Sequence, residues 1–400
     1  HPIIINSWEA MYFDITEKRI ENLVRSCRGL GIDTFVLDDG WFGCRKSDNS
    51  SLGDWYIDKN KFPNGLNNII SICKENGMSF GIWFEPEMIS ENSELYRRHP
   101  DWCIHTPGCA PIESRSQLVL DMARSEVVDC IYNQLAALLN EYDITYVKWD
   151  MNRNITDNGS ASLSADAQGE HAHRYILGVY SLMDRLTKAF PDVLFEGCAG
   201  GGGRFDFGIL YYMPQIWTSD DTDAVERLKI QYGTSMVYPV SAMTAHVSAC
   251  PNHQTGRITP FKTRGDIAQI CNFGYELDAS KLSSDETEQI KEQIKLHRKI
   301  EPMIYNGDFY RLISPFESDC CCWQIAAQDK KNSAVVFATQ KATPNSGGFY
   351  IKLRGLDPES IYTVSPMNIK LHGKTLMNAG LPITKEYFDF NTAIFELTAE

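Results

Sequence analysis

The 400-residue chain has no run of eighteen apolar residues, no C-x-x-C pair, no H-E-x-x-H and no G-x-x-x-x-G-K-[ST]. The first absence, with no secretion signal at the start, argues against membrane spanning and export. The next two remove the usual zinc frameworks; His105, His171, His173, His246 and His253 have no ligand spacing and fit surface or supporting positions, so no metal or other cofactor is expected. The acid cluster "SDDTD" lacks the twelve-residue loop and distal Glu of a calcium site. The glycine run "GCAGGGGRFD" (197–206) has the wrong order for a nucleotide loop and suits a close-approach loop against a ligand instead. Positive charge is scarce: 38 Lys and Arg face 52 Asp and Glu, a net charge of -14, and nothing supplies the basic stripe that nucleic acid or an anionic membrane surface requires. Repeats of twenty to fifty residues and low-complexity segments are also missing. The twelve cysteines are scattered, apart from Cys320, Cys321 and Cys322, which predicts free thiols in the reducing cytoplasm rather than a disulfide framework. The chain opens on the strand-like "HPIIINSWEA" instead of Met, as expected of a fragment whose upstream part is missing.

What is present is a core-forming 43% of hydrophobic residues, arranged as short apolar strands alternating with amphipathic helices. Eight strands are predicted, at 2–8, 34–40, 78–87, 145–151, 193–199, 215–221, 236–243 and 269–277. Helices fit between them. "TEKRIENLVRSCRGLG" opens on a Thr16 cap, closes on Gly31 and puts Ile20, Leu23, Val24 and Cys27 on one face. The alternation predicts a (β/α)8 TIM barrel over 1–305, with a doubly wound open sheet as the alternative. From 306 to 400 short alternating strands and turn residues predict a small antiparallel β-sandwich domain.

In "TYVKWDMNR" (145–153) the period of a strand points Tyr146, Lys148 and Asp150 to one face, so a cation and a carboxylate are either a buried ion pair or the wall of a site. The barrel favours the site. Trp8 and Glu9, Asp38 and Asp39, Trp83 and Glu85, Lys148 and Asp150, Cys198, and Asp220 and Asp221 all fall at C-terminal strand ends, the rim where barrel chemistry occurs. Carboxylates with aromatic walls suit a sugar, which offers hydroxyls and an apolar C–H face. Glycoside hydrolysis needs two carboxyl groups with different tasks, and Asp150 and Asp220 lead. Lys148 would favour ionised Asp150; neighbouring acids and partial burial would raise Asp220, with Asp221 or Asp223 competing for the acid role. Cys198 suits a ligand contact better than a nucleophile, and Arg115 either bonds a sugar or salt-bridges a carboxylate.

Taken together, "NSWEAMYFD", "VLDDGWFG", "SLGDWYID", "GIWFEPEM", "YVKWDMNR", "GGGRFD" and "WTSDDTDAVERLKIQYG" resemble the bacterial α-galactosidases of glycoside hydrolase family 36 over essentially the whole chain. The resemblance implies a retaining, metal-free and exo-acting hydrolysis of terminal α-galactosides such as melibiose, raffinose and stachyose. It makes Asp150 the nucleophile and Asp220 the acid and base. It assigns Asp38 and Asp39 to the sugar hydroxyls and adds Lys148, Arg115, Trp83, Cys198, Gly201 and Trp217 to the pocket, with Trp8 on the aglycone side. A retaining pair implies carboxyl groups roughly 5 to 6 Å apart. Relatives carry a large β-sandwich domain before the barrel, which this chain lacks, and a homo-oligomer, a tetramer, is implied for the full-length protein. Phe207 stands where many relatives have proline, near the loop that faces the 2-position. This keeps an α-N-acetylgalactosaminidase as the alternative, alongside a raffinose-type α-galactosyltransferase and, last, a non-catalytic sugar-binding barrel.

Overall fold

The computed structural model describes residues 1–342, 348–383 and 389–400. Eight parallel strands close into a barrel in chain order: β1 (Ile4–Asn6), β2 (Thr34–Leu37), β3 (Ser79–Phe84), β4 (Tyr146–Trp149), β5 (Leu194–Gly197), β6 (Gln215–Trp217), β7 (Met243–Ser248) and β8 (Asn272–Glu276). The helices that follow them are α1 (Glu17–Ser26), α2 (Asn67–Glu75), α3 (Ser125–Glu141), α4 (His171–Ala189), the one-turn α5 (Phe207–Leu210), α6 (Ala224–Thr234), α7 (Phe261–Ala268) and α8 (Ser284–Asn306). The chain forms two compact units, one of Ile4–Asp220 with Leu277–Ser280, the other of His1–Ile3, Asp221–Glu276 and Lys281–Glu400. Among the described residues no helix is long and apolar enough to cross a membrane.

Local signals explain most boundaries. The Thr16 hydroxyl accepts the Arg19 amide at the start of α1, whose Ile20, Leu23 and Val24 are buried, as is Cys27. The helix stops at Ser26, short of the expected Gly31, and the chain first turns left-handed at Gly29 (φ 75°). The seventh strand differs from expectation. Residues 236–242 contain Pro239, which has no N–H for a ladder, and Met236 and Val237 are exposed; the strand starts at Met243, where the forecast ended.

Inside the barrel the strand period sorts residues into layers. Ile4, Val36 and Tyr146 form the apolar layer, with Leu194 against it. Gly81 faces Tyr146, and a Cβ there would come within 2.9 Å of the Tyr146 Cβ, so the large residue requires the small one. One step up, Trp83, Lys148, Glu196 and Gln215 share a register, and Gln215 Nε2 donates to both Tyr146 Oη (2.9 Å) and Glu196 Oε2 (2.7 Å).

In the second unit, β9 (Asp308–Ile313), β10 (Cys320–Ala326), β11 (Asn332–Thr339), β13 (Ile361–Ser365), β14 (Ile369–His372) and β16 (Thr392–Ala399) make an antiparallel sheet in the order β9-β10-β11-β16-β13-β14. A two-stranded ladder of β12 (Phe349–Ile351) and β15 (Leu381–Ile383) shares its core, which includes Cys322, Val335, Leu353, Tyr362, Leu376 and Leu381. This is the antiparallel domain that the turn-punctuated sequence leads one to expect.

Candidate active site

Asp150 follows β4 directly and is 5% exposed. Its carboxylate accepts four donors: Trp83 Nε1 (3.1 Å) and Asn152 Nδ2 (2.8 Å) on Oδ2, and the amides of Met151 (2.8 Å) and Gly200 (3.4 Å) on Oδ1. Four donors on one carboxylate fix its place and orientation. Trp83 is itself locked. Its ring is 1% exposed and stacks on Phe42 at 6.1 Å, while its carbonyl accepts Trp41 Nε1 at 2.9 Å. It therefore meets the site through its N–H.

The Lys148 ammonium bonds Asp38 Oδ2 at 2.9 Å, which gives the cation of β4 a partner at the end of β2. Asn6 Nδ2 donates to the same oxygen (2.7 Å), and the Asp38 amide is received by the Ser7 hydroxyl (3.0 Å). Asp39 takes a bidentate pair of bonds from Arg45, 2.9 Å from Nε and 2.8 Å from Nη2. Burial pushes the Asp39 carboxyl up and the guanidinium pulls it down; on Arg45 the carboxylate outweighs burial and retains the cation. The two parallel N–H bonds identify Asp39 as ionised.

Cys198 follows β5, and its Sγ lies 3.9 Å from Asp220 Oδ1 and accepts the Gly201 amide at 3.4 Å. Burial, then Asp150 and Asp220, push its thiol far above the ordinary range. It is a neutral thiol touched by the fields of both acids, and no thiolate nucleophile. Gly201 (φ 84°) is required by backbone proximity: a Cβ would stand 2.5 Å from Ser219 Cα and 2.6 Å from the Asp220 amide nitrogen. The close approach expected of this loop is thus to the end of β6, which carries Asp220. Arg204 in the same loop is pinned by Glu87, fully buried beyond β3, through Nη1–Oε2 and Nη2–Oε1 contacts of 2.8 Å. Trp149 Nε1 (3.0 Å) and Tyr175 Oη (2.8 Å) donate to Glu87 as well.

The remaining candidates fall as follows. Trp217 ends β6 and is 3% exposed. Trp8 is partly exposed and packs edge-on against Tyr12 and Phe13, each at 5.2 Å. Arg115 is exposed, and its Nη1 donates to the Asn152 carbonyl (2.8 Å); among the described residues it forms no ion pair, so the salt-bridge alternative falls away. Asp223 is the N-cap of α6, accepting the amides of Val225 and Glu226, and also receives Arg257 and Thr255, which leaves it a structural acid. Phe207 is the first residue of α5, a position that proline suits equally well, and is exposed. Among the described residues no group of three or more His, Cys, Asp or Glu is placed to hold a metal ion. Asn6, Arg45, Gln117, Asn152, Glu87 and Arg204 were not anticipated. Asn6 alone had a local signal, two positions after Ile4 on the inner face of β1.

A 420 Å³ cavity is lined among others by Arg115, Met151, Asn152, Tyr175, Gly200 and Arg204; its lining takes in the two residues after Asp150 but not Asp150, Cys198 or Asp220. Two acids, one directly after β4 and one three residues past β6, flank one thiol, the two-carboxyl arrangement that glycoside chemistry uses.

Comparison with known proteins agrees. Residues 1–307 match the Melibiase family model and 320–397 the glycosyl hydrolase family 36 C-terminal domain. The α-galactosidase AgaA of Geobacillus stearothermophilus is 50% identical over 398 residues, covering 100% of this chain and 54% of its own, and α-galactosidase Mel36A of Lactobacillus acidophilus is 48% identical with the same coverage. The crystal structure of AgaA superposes with a TM-score of 0.98 over 100% of this chain and 56% of that one; structures of AgaA variants hold raffinose and stachyose. The chain spans about half the length of these relatives. On its motifs, its closed barrel and these matches, the chain belongs to the Melibiase family, glycoside hydrolase family 36.

Proposed function

We propose that the protein is a retaining, exo-acting α-galactosidase that removes terminal α-linked galactose from oligosaccharides such as melibiose and raffinose. The observation that carries this is the convergence of Asp150 and Asp220, from beyond two different strands, on the Cys198 thiol, with Asp150 gripped by four donors. The aspartates exchanged in the AgaA variants that hold raffinose and stachyose are separated by the same interval as Asp150 and Asp220, which supports assigning this pair.

In the first step Asp150 attacks the anomeric carbon as the glycosidic bond breaks, and Asp220 gives its proton to the leaving oxygen. The product is a galactosyl ester on Asp150 and the free aglycone. Asp220, now a carboxylate, takes a proton from water as that water attacks the anomeric carbon, and Asp150 leaves as the anion. Two inversions retain the α configuration. Asp38 and Asp39 receive sugar hydroxyls. Lys148, Arg115, Trp83, Cys198, Gly201 and Trp217 complete the pocket, and Trp8 the aglycone side. The catalytic barrel is taken as residues 1–305 and the sandwich domain as 306–400, working in the cytoplasm as a homo-oligomer, a tetramer by family likeness.

A paired assay on nitrophenyl α-galactoside and its 2-acetamido analogue, with NMR of the first-formed anomer, tests the substrate and the mechanism. Cleavage of the galactoside with α-galactose formed first is expected. Preference for the acetamido sugar, or β-galactose as first product, would overturn the substrate or the mechanism respectively.

A further inference from the structure

Glu85 follows β3 and is fully buried next to Asp150, yet the double displacement gives it no task. Its Oε1 accepts the Asn152 amide, and Gln117 Nε2 approaches Oε2 at 3.4 Å. Among the described residues no lysine, arginine or histidine lies within ion-pair distance of it. Asn152 in turn donates from Nδ2 to Asp150 Oδ2 (2.8 Å) and receives Arg115 on its carbonyl (2.8 Å). Three of the four polar groups of Asn152, its N–H, its carbonyl and its Nδ2, are therefore committed, and Nδ2 points at the proposed nucleophile.

We propose that Glu85 is a positioning residue that carries the single proton of the Glu85–Asp150 carboxyl pair and fixes Asp150 through Asn152. Two neighbouring buried carboxyl groups do not both ionise, and the proton stays on the one whose anion is less well solvated by donors. Asp150 has four donors, Glu85 two, one of them long. Burial, then the Asp150 charge, push the Glu85 carboxyl far above the ordinary carboxylate range, in agreement with that count. The consequence for chemistry is direct. An ionised Glu85 would drive the proton onto Asp150 and remove the nucleophile, whereas neutral Glu85 leaves Asp150 charged and still supplies an acceptor for Asn152. β3 thus addresses Asp150 twice, from Trp83 directly and from Glu85 through Asn152.

This inference rests on Asp150 as nucleophile, so its test has an arm that does not depend on turnover. In the intact protein, infrared spectra at neutral pH are expected to show a protonated-carboxyl C=O band that Glu85→Gln removes; a spectrum unchanged by that substitution overturns the proton assignment whether or not the protein cleaves galactosides. In steady-state assays Glu85→Gln, the isostere of the neutral acid, is expected to keep kcat near the wild-type value. Glu85→Ala, which lets Asn152 drift, is expected to lose roughly 100-fold in kcat with little change in KM. Equal loss in both variants at unchanged melting temperature overturns the positioning role. An Asp150→Ala variant that still turns over would instead fail the functional reading itself.

Discussion

The ends of β1 to β6 and the C-terminal sheet bury side chains of opposite character. At the strand ends Asp38, Asp39, Arg45, Glu85, Lys148 and Asp150 are all buried, and nearly every one leans on a neighbour from a different strand or loop. In the described part of 306–400 no charged side chain is buried; its one large polar insider, Gln324, is satisfied by Ser333 and by both the amide and the carbonyl of Arg354. Desolvating charge costs stability that apolar packing returns. The first region carries buried charge held by paired neighbours, and the second is a plain apolar core.

Substitutions can break that comparison, and the largest effect is expected at Asp150. Asp150→Ala should lower kcat/KM by on the order of 10⁴-fold, with a melting temperature equal to or above wild type, since a buried charge is deleted. A cooperative loss of fold would show that the acid is structural. Leu376, fully buried over the C-terminal sheet, should do the reverse. Leu376→Ala should cost about 2–5 kcal/mol in denaturant unfolding, with kcat per folded molecule unchanged.

His297 on α8 sits between the extremes, a buried titratable group stacked on Phe273 at 5.1 Å. Burial holds its pKa down at about 4. A folded value below the unfolded one means that the neutral ring stabilises the fold above the unfolded pKa of about 6.5 and that this is lost as pH falls towards 4, a change of roughly 3 kcal/mol. His297→Gln should flatten the wild-type slope of stability against pH in that window; an identical slope would remove His297 as its source. The smallest effect is expected at the exposed capping box of α8, where Ser283→Ala should cost about 1 kcal/mol and leave kinetics untouched.

Much of this was legible because strands have a period of two. Lys148, Asp150 and Cys198 were found as polar residues closing apolar runs, and the barrel puts such positions on one rim. Their partners were not legible in the same way. Arg45 reaches Asp39 from a loop, and Lys148, read beside Asp150 in the sequence, also bonds Asp38, 110 positions away. Pairings of that kind follow from barrel closure, which no local pattern encodes. The seventh strand was misplaced because exposed Met236 and Val237 look like core in a one-dimensional hydropathy pattern, and Pro239 was the overlooked veto.

The clasp between Glu87 and Arg204 has a practical corollary for anyone recombining relatives. The two halves of that clasp are 117 positions apart, one beyond β3 and one in the glycine-rich loop after β5. A chimera that imports the loop alone, from a donor with another residue at either place, would strand a fully enclosed carboxylate or a largely covered guanidinium; the two segments must travel as a matched set.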